Sequence, residues 1–521
     1  MIVRLYGNFD DYNGPIDGGS GIYQKALKTS PTSYPAYYKP DVDNEATDHI
    51  LFFFFFQGQY LNPYADMVKG YKQYSRSKML TQLELTQKLD FVTKGLNARL
   101  MANVNRSSYF DVSRAYNPYF YSISSYDKQT DQYMLNWLNQ QTSNSFFSEP
   151  ATEYLNYRPG AKNIESFLYL QGTLDYSRIY RDVHSVNATV VTTLQQSLKD
   201  NSQAGQIQSL QLSLPSRNSG ISGRLSYAYD NRYFAEFNFG YNGSERFHKS
   251  KQFGFFPTIG GAWVVSNESF WKPLENVVNK LKIRGSYGLV GNDAIGRPDQ
   301  RFFFLSEVNL NNSARGAYFG YNSDVGRNGV SISRYENRDI TWETSYQTNL
   351  GLEFSIMQKL NVIAEIYKQR RANILMDRAS IPSTMGLAVT PSANVGEAKN
   401  KGFDLSVDFN QNFKDGTWMI ARGNLTMART VFSIYEEPDY TDRHMSRVGQ
   451  SINQPRGLIA ERLFIDEADV KNSPRQNFGI YGAGDIKYRD INQDGQITNS
   501  DFVPIGHPET PEITYGFGVS A

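Results

Sequence analysis

Long runs in which apolar and polar residues alternate one for one constrain this chain more than any other feature. In one run Tyr233, Ala235, Phe237, Phe239 and Tyr241 interleave with Glu236, Asn238 and Gly240. In others Tyr346, Thr348, Leu350, Leu352, Phe354 and Ile356 interleave with Gln347, Asn349, Gly351, Glu353 and Ser355, and Phe403, Leu405, Val407 and Phe409 with Asp404, Ser406, Asp408 and Asn410. The pattern returns in Leu96, Ala98, Leu100, Ala102 and Val104, and in Leu281, Ile283, Tyr287 and Leu289. A period of two sends successive side chains to opposite faces of an extended chain, so each run reads as a strand with one apolar and one polar face. Water on one face of a soluble sandwich would produce the same alternation. Length separates the two cases. Soluble strands are mostly five or six residues, whereas runs of about nine to eleven, tilted near 40°, cover about 25 Å, the apolar band of an outer-membrane barrel.

The connections point the same way, because membrane barrels join strands by short turns on the periplasmic side and long loops outside. Tight turns are expected at Asp230-Asn231, at Gln358-Lys359, at Lys94-Gly95 and at Lys414-Asp415-Gly416, where Asp-Gly supplies positive φ. Between them lie polar stretches at 106–165, 370–399 and 430–509, of which 106–165 and 430–509 are expected to be long extracellular loops. One short-side connection, 268–280, carries Phe270, Trp271, Leu274, Val277 and Val278 near helical spacing and predicts a short amphipathic helix. The fold class expected is all-β, a partial transmembrane antiparallel β-barrel over 1–521. The alternative is a secreted or surface all-β glycan-binding protein without a pore.

Composition excludes several functions. The 53 Lys and Arg balance 52 Asp and Glu, so whole-chain charge gives no attraction for nucleic acid. There is no cysteine, which removes disulfides, thiolate metal sites and cysteine nucleophiles together. The longest conspicuous apolar run, 51–56, is far too short to cross a bilayer as a helix. The first residues have no basic segment followed by an apolar core, so the sequence reads either as cytoplasmic or as a piece of a longer chain.

Eight ordered motifs carry a resemblance: GRLSYAYDNRY at 223–233, NGSERF at 242–247, GFFPTIGGAW at 254–263, LKIRGSYG at 281–288, ITWE at 340–343, QTNLG at 347–351, NVGEAKNKG at 394–402 and GDIKYRD at 484–490. In order and spacing they resemble the SusC/RagA family of TonB-dependent transporters from Bacteroidetes. The resemblance implies residence in the cell outer membrane of a Gram-negative bacterium, in contact with outer-membrane lipid. It also implies uptake of an oligosaccharide or peptide, a SusD-like surface lipoprotein as lid, and energy from the TonB complex. The family's plug and TonB-contacting segment are not readable here and the strand count is low for such a barrel, so the chain is expected to be a barrel segment with its final strands missing.

The sharpest local motif lies at 490–501. Asp490, Asn492 and Asp494 occupy positions 1, 3 and 5 of a calcium-loop pattern, Gly495 position 6, Gln496 offers a backbone carbonyl at 7, and Asp501 ends the loop at 12. These residues are the expected Ca²⁺ ligands, with Asp in place of the usual Glu at the last position. Catalysis finds no support: His49, His184, His248, His444 and His507 are scattered, no nucleophile elbow or phosphate loop is present, and Glu436 and Glu437 are neighbours whose side chains diverge on an extended segment. No enzyme activity and no other cofactor is expected. Lys368, Arg370 and Arg371 form a basic cluster suited to lipopolysaccharide phosphates or an acidic substrate, or merely to solvation of a barrel rim. Tyr109, Phe110, Tyr116, Tyr119, Phe120 and Tyr121 offer rings for stacking sugars or for packing a loop.

Overall fold

The computed structural model describes residues 1–29, 35–54, 62–140, 149–200, 214–296 and 301–521. Fourteen strands are hydrogen-bonded side by side in the order of the sequence. They are β1 (Ile2–Pro15), β2 (Gly70–Lys88), β3 (Leu96–Ala115), β4 (Asn156–Tyr180), β5 (His184–Asp200), β6 (Ser216–Tyr229) and β7 (Tyr233–Ser244), followed by β8 (Phe253–Val264), β9 (Val278–Asn292), β10 (Glu343–Ile356), β11 (Leu360–Asp377), β12 (Ser392–Asn412), β13 (Trp418–Ile434) and β14 (Ile513–Ser520). Every alternating run of the sequence falls on one of them. The strands are longer than the alternation suggests, reaching 21 residues in β12 and 25 in β4. Apolar alternation marks only the part of a strand that meets oil, and the pairing continues beyond it with polar residues on both faces.

The turns at Asp230-Asn231 and Met357-Gln358 are of the primed type, whose positive φ matches the twist of paired strands, whereas the turn at Lys414-Asp415-Gly416 has positive φ only at Gly416 (86°). Asp230 and Asn231 have φ of 49° and 50°, and the turn closes with Arg232 N–H donating to the Tyr229 carbonyl at 2.9 Å. The β10–β11 turn sits one residue earlier than expected, on Met357 (φ 49°) and Gln358 (φ 56°), with Lys359 N–H donating to Ile356. Neither residue announces a turn; the alternating runs on both sides fix the register and force the backbone between them. The connection before β3 is also longer than a tight turn, occupying 89–95 with Gly95 at φ +90°. The helix expected over 268–280 is instead two 3-10 turns, Val265–Asn267 and Ser269–Leu274. Pro273 lies inside the second, where it has no N–H to continue an α-helix.

Contacts divide the chain into two compact units, 1–85 with 101–170 and 195–216, and 86–100 with 171–194 and 217–521. In the first, β1 pairs antiparallel with β2 from Ile2↔Glu84 to Pro15↔Tyr71. A separate four-stranded sheet there joins Tyr37–Tyr38, Leu51–Phe53, Phe120–Asp127 and Gln132–Trp137. Of the apolar run at 51–56, residues 55 and 56 lie outside the described residues, while Phe52 is buried with Ala65 and Phe120. Tyr38, Leu51 and Tyr121 form a neighbouring cluster. Asn62 caps the helix Pro63–Val68 by accepting from the N–H groups of Tyr64 (3.0 Å) and Ala65 (3.3 Å).

In the second unit β6 to β14 pair antiparallel in a nearly unbroken register. Its buried cluster of Phe247, Ile295, Phe303, Ile340 and Trp342 belongs to the ends and connections of the strands. The connection between β9 and β10 carries its own hairpin, Glu307–Phe319 with Val325–Arg334. β11 and β12 extend as a hairpin well into the expected 370–399 loop, leaving 378–391 as the connection, and 435–512 links β13 to β14.

Candidate functional site

The register shows what each face of the second unit can touch. On one face Leu225, Phe237, Ile259 and Tyr287 stand opposite one another across β6 to β9, and Leu350, Ile366, Phe403 and Met427 across β10 to β13. These side chains are not covered: Ile259 is 58% exposed, Leu350 53% and Ile366 55%. Toward the short turns the same face ends in rings, Tyr229, Tyr233 and Trp263, with centroids 6.4 Å apart from one to the next. Apolar side chains left bare over so many strands suit a solvent of acyl chains, and the aromatic row suits its boundary with water.

The opposite face is charged, and over β6 to β11 most of its charges pair with one another. Glu353 of β10 meets Lys280 at 2.8 Å, Arg284 at 3.1 Å and Lys282 at 3.6 Å, all from β9. Arg284 continues to Glu365 of β11, which also accepts from Asn349 at 2.9 Å. Arg224 and Asn238 converge on Glu236 at 2.6 and 2.7 Å. Such a ladder is affordable only beside water or polar protein.

At the end of the sheet away from the short turns this polar face opens into a cavity of about 1360 Å³. Gln369, Arg371, Asn400 and Thr430 line it from the strands, and Glu436, Glu437 and Tyr440 from the connection after β13. The two neighbouring acids do diverge. Glu436 accepts from Ser380 and, at 2.9 Å, from Arg378, which together hold its carboxyl below the usual range. Glu437 accepts from Ser446 and from the Arg447 N–H at 3.0 Å. Both are structural anchors rather than a catalytic pair. Arg371, by contrast, has no ion-pair partner among the described residues, and the Oδ1 of Asn400 and Nη1 of Arg334, which also line the cavity, are buried without a hydrogen-bond partner. These groups can receive a polar ligand. The sequence carried no local signal for Arg334 or Asn400: strand pairing sets the face of Asn400, while Arg334 comes from the hairpin in the connection between β9 and β10.

The loop at 490–501 is folded around its own backbone. Asp490 accepts from the N–H groups of Gln493 (2.7 Å) and Gly495 (2.8 Å), and Asp494 from Gln496 at 2.8 Å. The Asn492 amide donates to Asp494 at 3.0 Å. Asp501 is fully buried, accepts from Ile491 and Thr498 at 2.8 Å each, and completes a capping box on the 3-10 turn Asn499–Asp501. Among the described residues no three His, Asp or Glu side chains are grouped to hold a metal ion.

The remaining candidates separate. Tyr109 and Phe110 lie on β3 rather than in a loop, while Phe120 and Tyr121 are buried core residues of the small sheet and so packing elements. His49 stacks on Tyr119 at 3.7 Å between centroids and lies 2.8 Å from the Tyr121 hydroxyl, and burial lowers its pKa. In the basic cluster Arg371 faces the cavity, whereas Lys368 and Arg370 alternate onto the apolar face.

An antiparallel sheet with bare apolar side chains on one face and a charged ladder on the other defines a membrane-spanning β-sheet protein of the outer-membrane type. The comparisons with known proteins agree. This chain belongs to the TonB-dependent receptor family: the profile described as "TonB dependent receptor-like, beta-barrel" matches residues 5–507. Its place is the outer membrane. It is 27% identical over 316 residues to a TonB-dependent receptor of Formosa agariphila, covering 57% of this chain and 29% of that protein. Over 213 residues it is 29% identical to the TonB-dependent receptor SusC of Bacteroides thetaiotaomicron, covering 40% of this chain and 20% of SusC. Its fold is similar to that of a chain in the RagAB peptide importer in the "open-open" state, with a TM-score of 0.61 and 20% identity over 99% of this chain and 53% of the other. The chain thus spans about half of that solved chain and a smaller part of the curated relatives.

Proposed function

We propose that this chain is the wall segment of a TonB-dependent importer that takes up oligosaccharides or peptides together with a SusD-like surface lipoprotein. The observation that carries the reading is the two-faced sheet, with bare apolar side chains outward and a charged face that opens into a cavity at the end of the long connections. The likeness to a chain of the RagAB peptide importer supports a peptide, and the resemblance to the SusC/RagA family supports the oligosaccharide and the lipoprotein. A soluble glycan-binding protein would have no use for an uncovered apolar face. The cavity offers Arg371 and Asn400 to polar groups and Tyr435 and Tyr440 to sugar rings or aromatic side chains. The test is uptake of labelled peptide and oligosaccharide pools by cells with and without the transporter and with and without TonB, together with purification of the tagged transporter. Uptake of one pool should require both proteins, and a lipoprotein should copurify in equal amount. Uptake that continues without TonB would refute the reading.

We also propose a Ca²⁺ ion at 490–501, ligated by Asp490, Asn492, Asp494, Asp501 and the Gln496 carbonyl once the ion draws together carboxylates that are not grouped without it. Each carboxylate oxygen has two lone pairs, so those that accept one backbone N–H keep another for an ion. Calcium titration by calorimetry should give one site that Asp490→Ala removes. A flat titration of the unaltered protein would exclude the ion.

A further inference from the structure

The outward face of β11 to β13 changes character abruptly. On β11, Leu360, Val362, Ala364 and Ile366 give way at the next outward positions to Lys368 and Arg370. On β12, Val407, Leu405 and Phe403 give way to Lys401 and Lys399, and on β13 Leu425 and Met427 give way to Arg429. The register places Lys368 opposite Lys401 and Lys401 opposite Arg429, with Arg370 opposite Lys399 one step further out. All five side chains are exposed.

Like charges directly opposite on adjacent strands destabilise a sheet, so this arrangement needs an anion. The protein supplies part of it. Glu397 pairs with Arg370 and lies 3.4 Å from Lys399, and Glu512 lies 3.7 Å from Arg429. Lys368 and Lys401, side by side, have no carboxylate partner among the described residues. Five cations thus face two carboxylates. The cross-strand row that contains three of them is apolar at its other end, running Leu225, Phe237, Ile259, Tyr287, Thr348, Lys368, Lys401, Arg429. A row perpendicular to tilted strands climbs across the membrane, so its cationic end reaches the boundary on the side of connections 378–391 and 435–512.

We propose that this patch holds the phosphate-bearing head group of an outer-leaflet glycolipid, whose acyl chains lie along Ile366, Phe403 and Met427. Arginine and lysine bind phosphate through charge-assisted hydrogen bonds, and the adjoining apolar positions receive the chains. The proposal rests on the outer-membrane placement and needs neither substrate nor lipoprotein.

The test uses the full-length transporter, purified and placed in nanodiscs containing either bisphosphorylated lipid A or the same lipid stripped of its phosphates. Bound lipids are counted by native mass spectrometry. The unaltered protein should retain the phosphorylated form by more than about tenfold over the stripped form. The triple variant Lys368→Gln, Lys401→Gln, Arg429→Gln should bind it on the order of a hundredfold more weakly, a factor of about five per charge, while Lys368→Arg with Lys401→Arg retains it. Equal retention of the two lipids by the unaltered protein overturns the proposal whether or not the variants fold. A phosphate preference that survives in the triple variant overturns it too. Because no uptake is measured, failure of the transport reading would leave this result standing.

Discussion

Phe52 and Ile259 are both apolar residues on strands, yet one is 1% exposed and the other 58%. Phe52 belongs to the small four-stranded sheet, where short strands, a capped helix and stacked rings close over a dry interior. Ile259 belongs to β8, whose apolar face is packed against no such interior. The contrast shows that the chain folds for two solvents. Where it meets water it must build a core of its own, and it does so in the connections. Where it meets acyl chains the lipid replaces the core, and the strands need only satisfy one another's hydrogen bonds.

The contrast can be broken at several points. The largest effect is expected from Phe52→Ala, which should cost about 3–5 kcal/mol, as for other buried rings. Hydrogen exchange and proteolysis should show the damage confined to the small sheet, with β6 to β13 still protected; loss of protection throughout would mean that the two regions share one core. Next comes Leu350→Arg against its neighbour Asn349→Arg. The first puts a cation in the hydrocarbon and should cost about 2–4 kcal/mol in urea titrations of the protein refolded in vesicles, while the second enters the charged face and should change little. Equal effects would refute the assignment of faces. Removing the cap with Asn62→Ala should cost about 1 kcal/mol, again felt in the small sheet alone.

The smallest effect at neutral pH is a pH dependence. Burial pushes the hydroxyls of Tyr38 and Tyr121 up to about 12. An unfolded tyrosine titrates near 10, so the neutral ring favours the folded sheet. That contribution is complete below pH 10 and is lost as pH climbs toward 12. Tyrosinate absorbance should therefore rise together with loss of the small sheet's protection, whereas titration near pH 10 with the sheet intact would show these rings to be solvated.

The strands were legible because lipid enforces a strict period of two, and every alternating run names its own face. The tight turn at Asp230-Asn231 was legible from residue chemistry, whereas Met357 and Gln358 were not, since their conformation is imposed by the strands they join. β1 and the small sheet escaped because their contacts are long-range: Phe52 pairs with Phe120 across a gap in sequence that no local pattern bridges. The same reason explains the basic patch. Lys368 and Arg370 are visible together, but Arg371 points elsewhere, and Lys399, Lys401 and Arg429 join only through register. The acidic loop at 490–501 showed its oxygens in sequence but not that each would turn to a backbone N–H.

The two-residue turn at Met357 and Gln358 leaves no slack between β10 and β11. Adding or deleting one residue there would exchange the sides of the whole following strand, immersing Glu365 in oil and turning Ile366 toward water. Length changes in such a wall are therefore tolerated at the long connections, and where strands are gained or lost across evolution, whole hairpins are the smallest unit that keeps both surfaces intact.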